Sequence, residues 1–121
     1  YKHDDLLTRR RAAATYELSL KGQYSMNKLN DEKIDFLFKG ILTLDSVEEC
    51  YSFFEDLCTV AELQEMSKRL LAAKMLRENY IYTEIAEKTG LSTATISRVN
   101  RCLKYGSDGY MTVLDRLERS K

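Results

Sequence analysis

The chain has no proline, only five glycines, a single histidine and no net formal charge. The absence of proline fits an all-helical globule better than a β-sandwich. His3, the one histidine, stands at the very start, so a zinc site or a histidine-based triad has almost nothing to draw on. No run of about 18 apolar residues occurs, which excludes a membrane-spanning helix. Cys50, Cys58 and Cys102 are odd in number and form no C-x-x-C pair, a usage that suits a reducing cytoplasm with the thiols as small core residues. At 121 residues there is room for one small domain and an arm.

The zero charge hides a separation of signs. Residues 31–67 carry ten acids and two bases, a net of −8. Residues 68–104 carry eight bases and three acids, a net of +5. A neutral chain built this way can still present a basic face to a polyanion, although a solvated helix surface has the same composition.

Residues 1–29 read differently from the rest. "YKHDDLLTRRRAAATYELSLKGQYS" has no sustained period, holds Arg9–Arg11 and precedes Met26. It is expected to be an arm or an expression remnant, with an ordered helix over residues 4–19 left open. Residues 30–121 form the expected helical domain. Ile34, Leu37, Phe38, Ile41 and Leu42 fall on one helical stripe, and Val47, Cys50, Tyr51, Phe54, Leu57 and Cys58 on a second. Ser46 with Glu49, and Thr59 with Glu62, have capping-box spacing. The third segment, to about Asn79, is apolar on two sides: Leu63, Met66 and Leu70 on one, Leu71 and Met75 on the other. A helix wanted on two faces in so short a chain suggests a second subunit, although the central helix of a monomer has the same pattern. Two short helices follow, roughly 83–89 and 92–104, and a last amphipathic segment bears Tyr110, Val113, Leu114 and Leu117. No strand-like alternation is present, and the fold class is all-α.

"YTEIAEKTGLSTATISRV", residues 82–99, carries the functional signal. Thr83 is placed to cap a helix, Ile85 points to a core, and Ala86 is small where two helices must cross. Gly90 sits where the turn needs a positive φ, Leu91 packs beneath it, and Ser92 caps the next helix, anchored by Ile96 and Val99. This order is the helix-turn-helix pattern, here over about 82–104, and a generic helical hairpin is the plainer alternative. In such a unit the first turn of the second helix enters the major groove. Ser92, Thr93, Ala94, Thr95 and Ser97 are short enough to let the backbone approach base edges, and Arg98, Arg101 and Lys104 are suited to phosphates.

The stretch from Leu57 to Leu103, "LCTVAELQEMSKRLLAAKMLRENYIYTEIAEKTGLSTATISRVNRCL", resembles the Trp repressor superfamily. With "VEECYSFFEDLCT" and "STATISRVNRCLKYG", the chain from about 31 to 117 is still more similar to the YerC/YecD branch. The resemblance implies an intertwined helical homodimer with two reading heads on an approximately palindromic operator in double-stranded DNA. It also implies an effector pocket. By position, Arg69 and Arg98 match the two arginines that sandwich the indole of tryptophan in the repressor. The next position is glycine there and Val99 here, and the serine that receives the ammonium group is Cys102 here. A β-branched side chain in that slot fills volume the ring would use, so tryptophan is not expected as corepressor and no cofactor is assigned. Arg69 and Arg98 are then a phosphate contact and a structural pair, or the basis of a small-anion pocket.

The remaining classes are weaker. Glu48, Glu49, Glu55 and Asp56 lie at helical spacing on a polar side and need no catalysis to explain them. A protein-interaction module on the same scaffold is the main alternative to operator binding. Such a module would expose large apolar groups after Ser92, where this chain has small polar ones. The expectation is therefore a cytoplasmic, non-enzymatic, DNA-binding transcriptional regulator.

Overall fold

The structure, a computed structural model, describes residues 31–120. The expected arm at 1–29 lies outside those residues. Among them there are six helices and no strand: α1 (Glu32–Ile41), α2 (Val47–Leu57), α3 (Val60–Arg77), α4 (Tyr82–Thr89), α5 (Thr93–Tyr105) and α6 (Gly109–Arg119). The described residues fall into two units divided between Cys50 and Tyr51, a boundary that α2 crosses.

Every helix but α6 starts where a side chain can satisfy an amide at its first turn. The Asp31 carboxylate accepts from the Ile34 amide at 2.8 Å and opens α1. Thr59 and Glu62 form a full capping box at the head of α3: the Glu62 amide donates to Thr59 Oγ1 at 3.1 Å and the Thr59 amide donates to the Glu62 carboxylate at 2.9 Å. The box at α2 is offset. The Glu49 amide donates to Ser46 Oγ, but the Glu49 carboxylate reaches one residue further back, to the Asp45 amide at 2.8 Å.

Two boundaries differ from the sequence expectation. Helix α3 ends at Arg77 rather than near Asn79, because Asn79 turns left-handed at φ +68°. The Asn79 amide then donates to the Leu76 carbonyl and the Tyr80 amide to the Met75 carbonyl, a Schellman closure with asparagine in the glycine position. Helix α4 begins one residue early. Its first turn is capped by the Glu84 carboxylate accepting from the Ile81 amide at 3.1 Å, not by Thr83.

The core lies in the second unit. Ala72, Ala73 and Met75 of α3, Ile85 of α4, Leu91 of the turn, Ile96 and Val99 of α5 and Leu114 of α6 form its buried set. Ala72 and Ala73 are fully buried, and with no side chain beyond Cβ they let α4 and α5 approach the α3 backbone closely. Burial of Ile85 and Ile96 stabilises the fold by about 2–3 kcal/mol each. Arg77 ties α6 to α3: its Nη2 lies 2.7 Å from Asp115 Oδ1 and 2.9 Å from Glu118 Oε2. By contrast, α1 and α2 contain no buried residue. Phe36 is 80% exposed and Leu42 74%, and Leu57 and Val60 at the second unit's first turn are exposed as well.

Hydrogen bonds from Thr59 hold the Glu62 carboxyl below its ordinary range. Its ionised form therefore contributes stability at neutral pH, and that contribution disappears as pH falls through the lowered value. The urea midpoint of the wild type should exceed that of Glu62→Gln near pH 7, and the gap should close on acidification. A gap independent of pH would mean that the charge on Glu62 contributes nothing.

Candidate nucleic-acid interface

The bend between α4 and α5 is fixed by three devices. Gly90 adopts φ +75°, ψ +6°, a left-handed conformation that costs a residue with a Cβ roughly 1–2 kcal/mol, and its amide closes α4 on the Ala86 carbonyl at 2.8 Å. Open space surrounds the position a Cβ would occupy, so the requirement for glycine is conformational. Thr89, the one buried polar residue of the described core, donates from Oγ1 to the Ile85 carbonyl at 2.7 Å and accepts from the Leu91 amide at 3.2 Å. Leu91 is buried under the bend, as its place in the motif requires.

Helix α5 then starts at Ser92, whose Oγ accepts from the Thr95 amide at 3.1 Å and donates to Thr95 Oγ1 at 3.0 Å. Ile96 is 0% and Val99 2% exposed, which fixes the rotation of α5 about its axis. Residues three and four apart share a face, so the other rows follow. Thr93, Ser97, Asn100 and Lys104 form one row. Thr95, Arg98 and Cys102 form another, on the other side of the anchors. Ser92, Thr93, Ala94, Ser97, Arg98, Arg101 and Lys104 are exposed, whereas Thr95 is half-buried. Arg98, Arg101 and Lys104 do not make a straight line. Each three-residue step falls about 60° short of a full turn, so the cations fan across about 120° of the helix.

Among the described residues, no carboxylate pairs with those three cations. Of the other bases of this stretch, three are engaged: Lys68 with Glu65 at 3.6 Å, Lys74 with Glu78 at 3.9 Å, and Arg77 with the two acids of α6. The positive charge left unneutralised on this segment therefore includes the outer side of α5.

A cavity of about 370 Å³ adjoins the second row, lined by Glu65 and Arg69 of α3, Thr95, Arg98, Val99 and Cys102 of α5, and Tyr110 of α6. Its lining includes Arg69, Arg98, Val99 and Cys102, the four residues singled out from the sequence. Sequence reasoning missed Glu65 and Tyr110, which reach the cavity only through the packing of α3 and α6 against α5. One expectation is corrected. Cys102 is not a small core residue but an exposed thiol on the cavity lining, while Cys50 and Cys58 are half-buried. No group of three His, Cys, Asp or Glu among the described residues could hold a metal ion.

An all-helical fold with this bend, cap and anchored second helix defines a helix-turn-helix protein. The Trp repressor protein family matches residues 32–118, and the chain belongs to that family of DNA-binding transcription regulators. It is 51% identical over 96 residues to the uncharacterized protein YerC of Bacillus subtilis strain 168, covering 79% of this chain and 92% of that one. Two crystal structures share the fold. A TrpR-like protein from Eubacterium eligens is 55% identical with a TM-score of 0.74, over 76% of this chain and 95% of that chain. A Trp repressor candidate from Staphylococcus aureus is 50% identical with a TM-score of 0.76, over 79% of this chain and 96% of that chain. The family is regulatory rather than enzymatic.

Thr89 supplies the test of this local geometry. Thr89→Val keeps the shape but leaves the buried Leu91 amide without its acceptor, and it should destabilise the fold by about 1–3 kcal/mol in urea unfolding. Wild-type stability in that variant would remove the hydroxyl from the account of the bend.

Proposed function

We propose that the protein is a sequence-specific transcriptional repressor that reads an operator with the first two turns of α5 in the major groove. The observation that carries this reading is the division of α5: Ile96 and Val99 are sealed in the core while Thr93, Ala94 and Ser97 stand in solvent, all of them short. Long side chains at those places would hold the backbone away from the bases. The hydroxyls of Thr93 and Ser97 can bond base edges or phosphates, and the methyl of Ala94 can touch thymine. Amides in the first turn lack intrahelical acceptors and favour a phosphate, and Arg98, Arg101 and Lys104 add backbone contacts whose release of counterions makes binding weaken steeply with salt.

The unburied apolar faces of α1 and α2 support a homodimer as the binding species. Two heads related by a two-fold axis fit a palindromic operator with half-sites about one helical turn apart. A docking module for another protein is disfavoured by the same first turn, which offers a partner no large apolar side chain.

The cavity beside α5 supports a second reading, in which a small anion modulates binding. Arg69 and Arg98 supply positive charge there, and Thr95 and Arg98 belong to both the cavity and the proposed interface. Tryptophan does not fit it. Val99, only 2% exposed, lines the cavity at the glycine position of the repressor, and Cys102 stands for the serine.

Thr93→Glu should abolish duplex binding in a mobility-shift assay with the helical circular dichroism intact, because an acid in the first turn favours the helix but repels phosphate. Undiminished DNA affinity would remove α5 from the interface. Calorimetric titration with tryptophan should give no saturable heat, and micromolar binding would overturn the steric argument from Val99.

A further inference from the structure

The Asn100 side-chain amide donates to the Tyr82 hydroxyl at 3.1 Å, joining the first residue of α4 to the third turn of α5 across 18 positions of sequence. It is a partly buried bond between two side chains, and it lies at the opposite end of α4 from the Gly90 bend. The Tyr82 ring packs against the core, so the hydroxyl is held on a stiff support. A phenol donates as well as accepts, and the bond therefore survives either orientation of the amide. Asn100 follows Ser97 by three residues on the row that begins at Thr93. An asparagine on such a row would ordinarily be taken for an adenine reader, since its amide can make paired bonds to that base. Here the amide is turned towards α4.

We propose that Tyr82 and Asn100 are a positioning pair that sets the pitch of α5 against α4, and hence how well Thr93 and Ser97 discriminate among sequences. The proposal rests on the operator reading above. Two points of attachment fix a rod where one leaves it free to tilt. The bend at Gly90 and Leu91 holds the near end of α5, and the Tyr82–Asn100 bond braces it about two turns further on. A tilt of α5 about the near end would change the depth of the row in a groove while leaving its charge, and so its attraction to phosphate, unaltered. Phosphate contacts carry no sequence information, so loss of the brace should cost discrimination rather than general affinity.

The test uses the full chain and a randomised duplex library. The sequence best enriched by the wild type serves as the specific probe and its scrambled version as the control, both measured well below the melting temperature. Tyr82→Phe, which removes only the hydroxyl, should weaken binding to the enriched duplex by about 3- to 10-fold, the range of one hydrogen bond, and leave the scrambled duplex and the salt slope unchanged. Asn100→Ala should act alike, the double variant should be no worse than either, and all should enrich the same sequence. An equal loss on both duplexes would mean general destabilisation and overturn the pairing, as would wild-type discrimination in Tyr82→Phe. A changed base preference confined to Asn100→Ala would make Asn100 a reader and also overturn it. If the wild type enriches no sequence, the operator reading fails. The brace is then judged without DNA by residual dipolar couplings, where an α5 orientation unchanged in Tyr82→Phe would end it.

Discussion

Burial of Ile96 and Val99 against α3 is the constraint on which the rest of this molecule depends. With two anchors three residues apart, α5 has one rotational setting about its axis, and every other side chain on it is assigned a direction. A single anchor would let the helix roll, and the small polar row would have no fixed relation to the rest of the fold. The setting is possible because Ala72 and Ala73 give α3 a flat surface at the crossing. Larger residues there would push α5 outward and open the bend.

The same setting explains why one helix serves two surfaces. The anchors lie between the row of Thr93 and Ser97 and the row of Thr95, Arg98 and Cys102. The second row forms one wall of the cavity, while α3 and α6 supply the rest. Anything that moved α3 or α6 relative to α5 would alter that cavity and Arg98 together. Arg77 opposes one such movement by holding both acids of α6 from α3, and its partners are exposed enough that the restraint is modest.

Much of this was legible in the sequence because the information is local. Gly90, Ser92 and the apolar anchors act over a few residues, and each has one steric or hydrogen-bonding reason to be where it is. The Thr59–Glu62 box is equally local, and its three-residue spacing alone identifies it. Features that were not legible depend on choices among equivalent groups or on distant partners. Thr83 is a better intrinsic cap than Ile81, yet Glu84 can reach back only one turn, and that contact fixed the helix start at Tyr82. Asn79 looks like any polar helix residue until the chain must reverse, when its tolerance of positive φ decides where α3 stops. Cys102 has the composition of a core residue, but it follows Arg98 by four positions and so belongs to the cavity row. The Tyr82–Asn100 bond and the Arg77 cluster join residues far apart in sequence, and periodicity carries no trace of them.

The distribution of burial bears on what the functional species is. The helix-turn-helix unit and α3 supply seven of the eight buried apolar residues and Leu114 of α6 the eighth, whereas α1 and α2 supply none. Both of those helices have apolar stripes at helical spacing, and stripes of that kind are stable in water only when something covers them. A cavity of about 450 Å³ lined by Tyr51, Phe54, Cys58, Val60 and Leu63 continues the apolar surface into α3. A reading head alone would need none of this. If a second copy covers these stripes, the spacing of two heads is set by the helices that bury least within one chain, and operator geometry is then encoded there rather than in α5. Recognition of bases and recognition of half-site spacing would thus be carried by different parts of the sequence, the first by small polar residues after a bend and the second by apolar stripes before it.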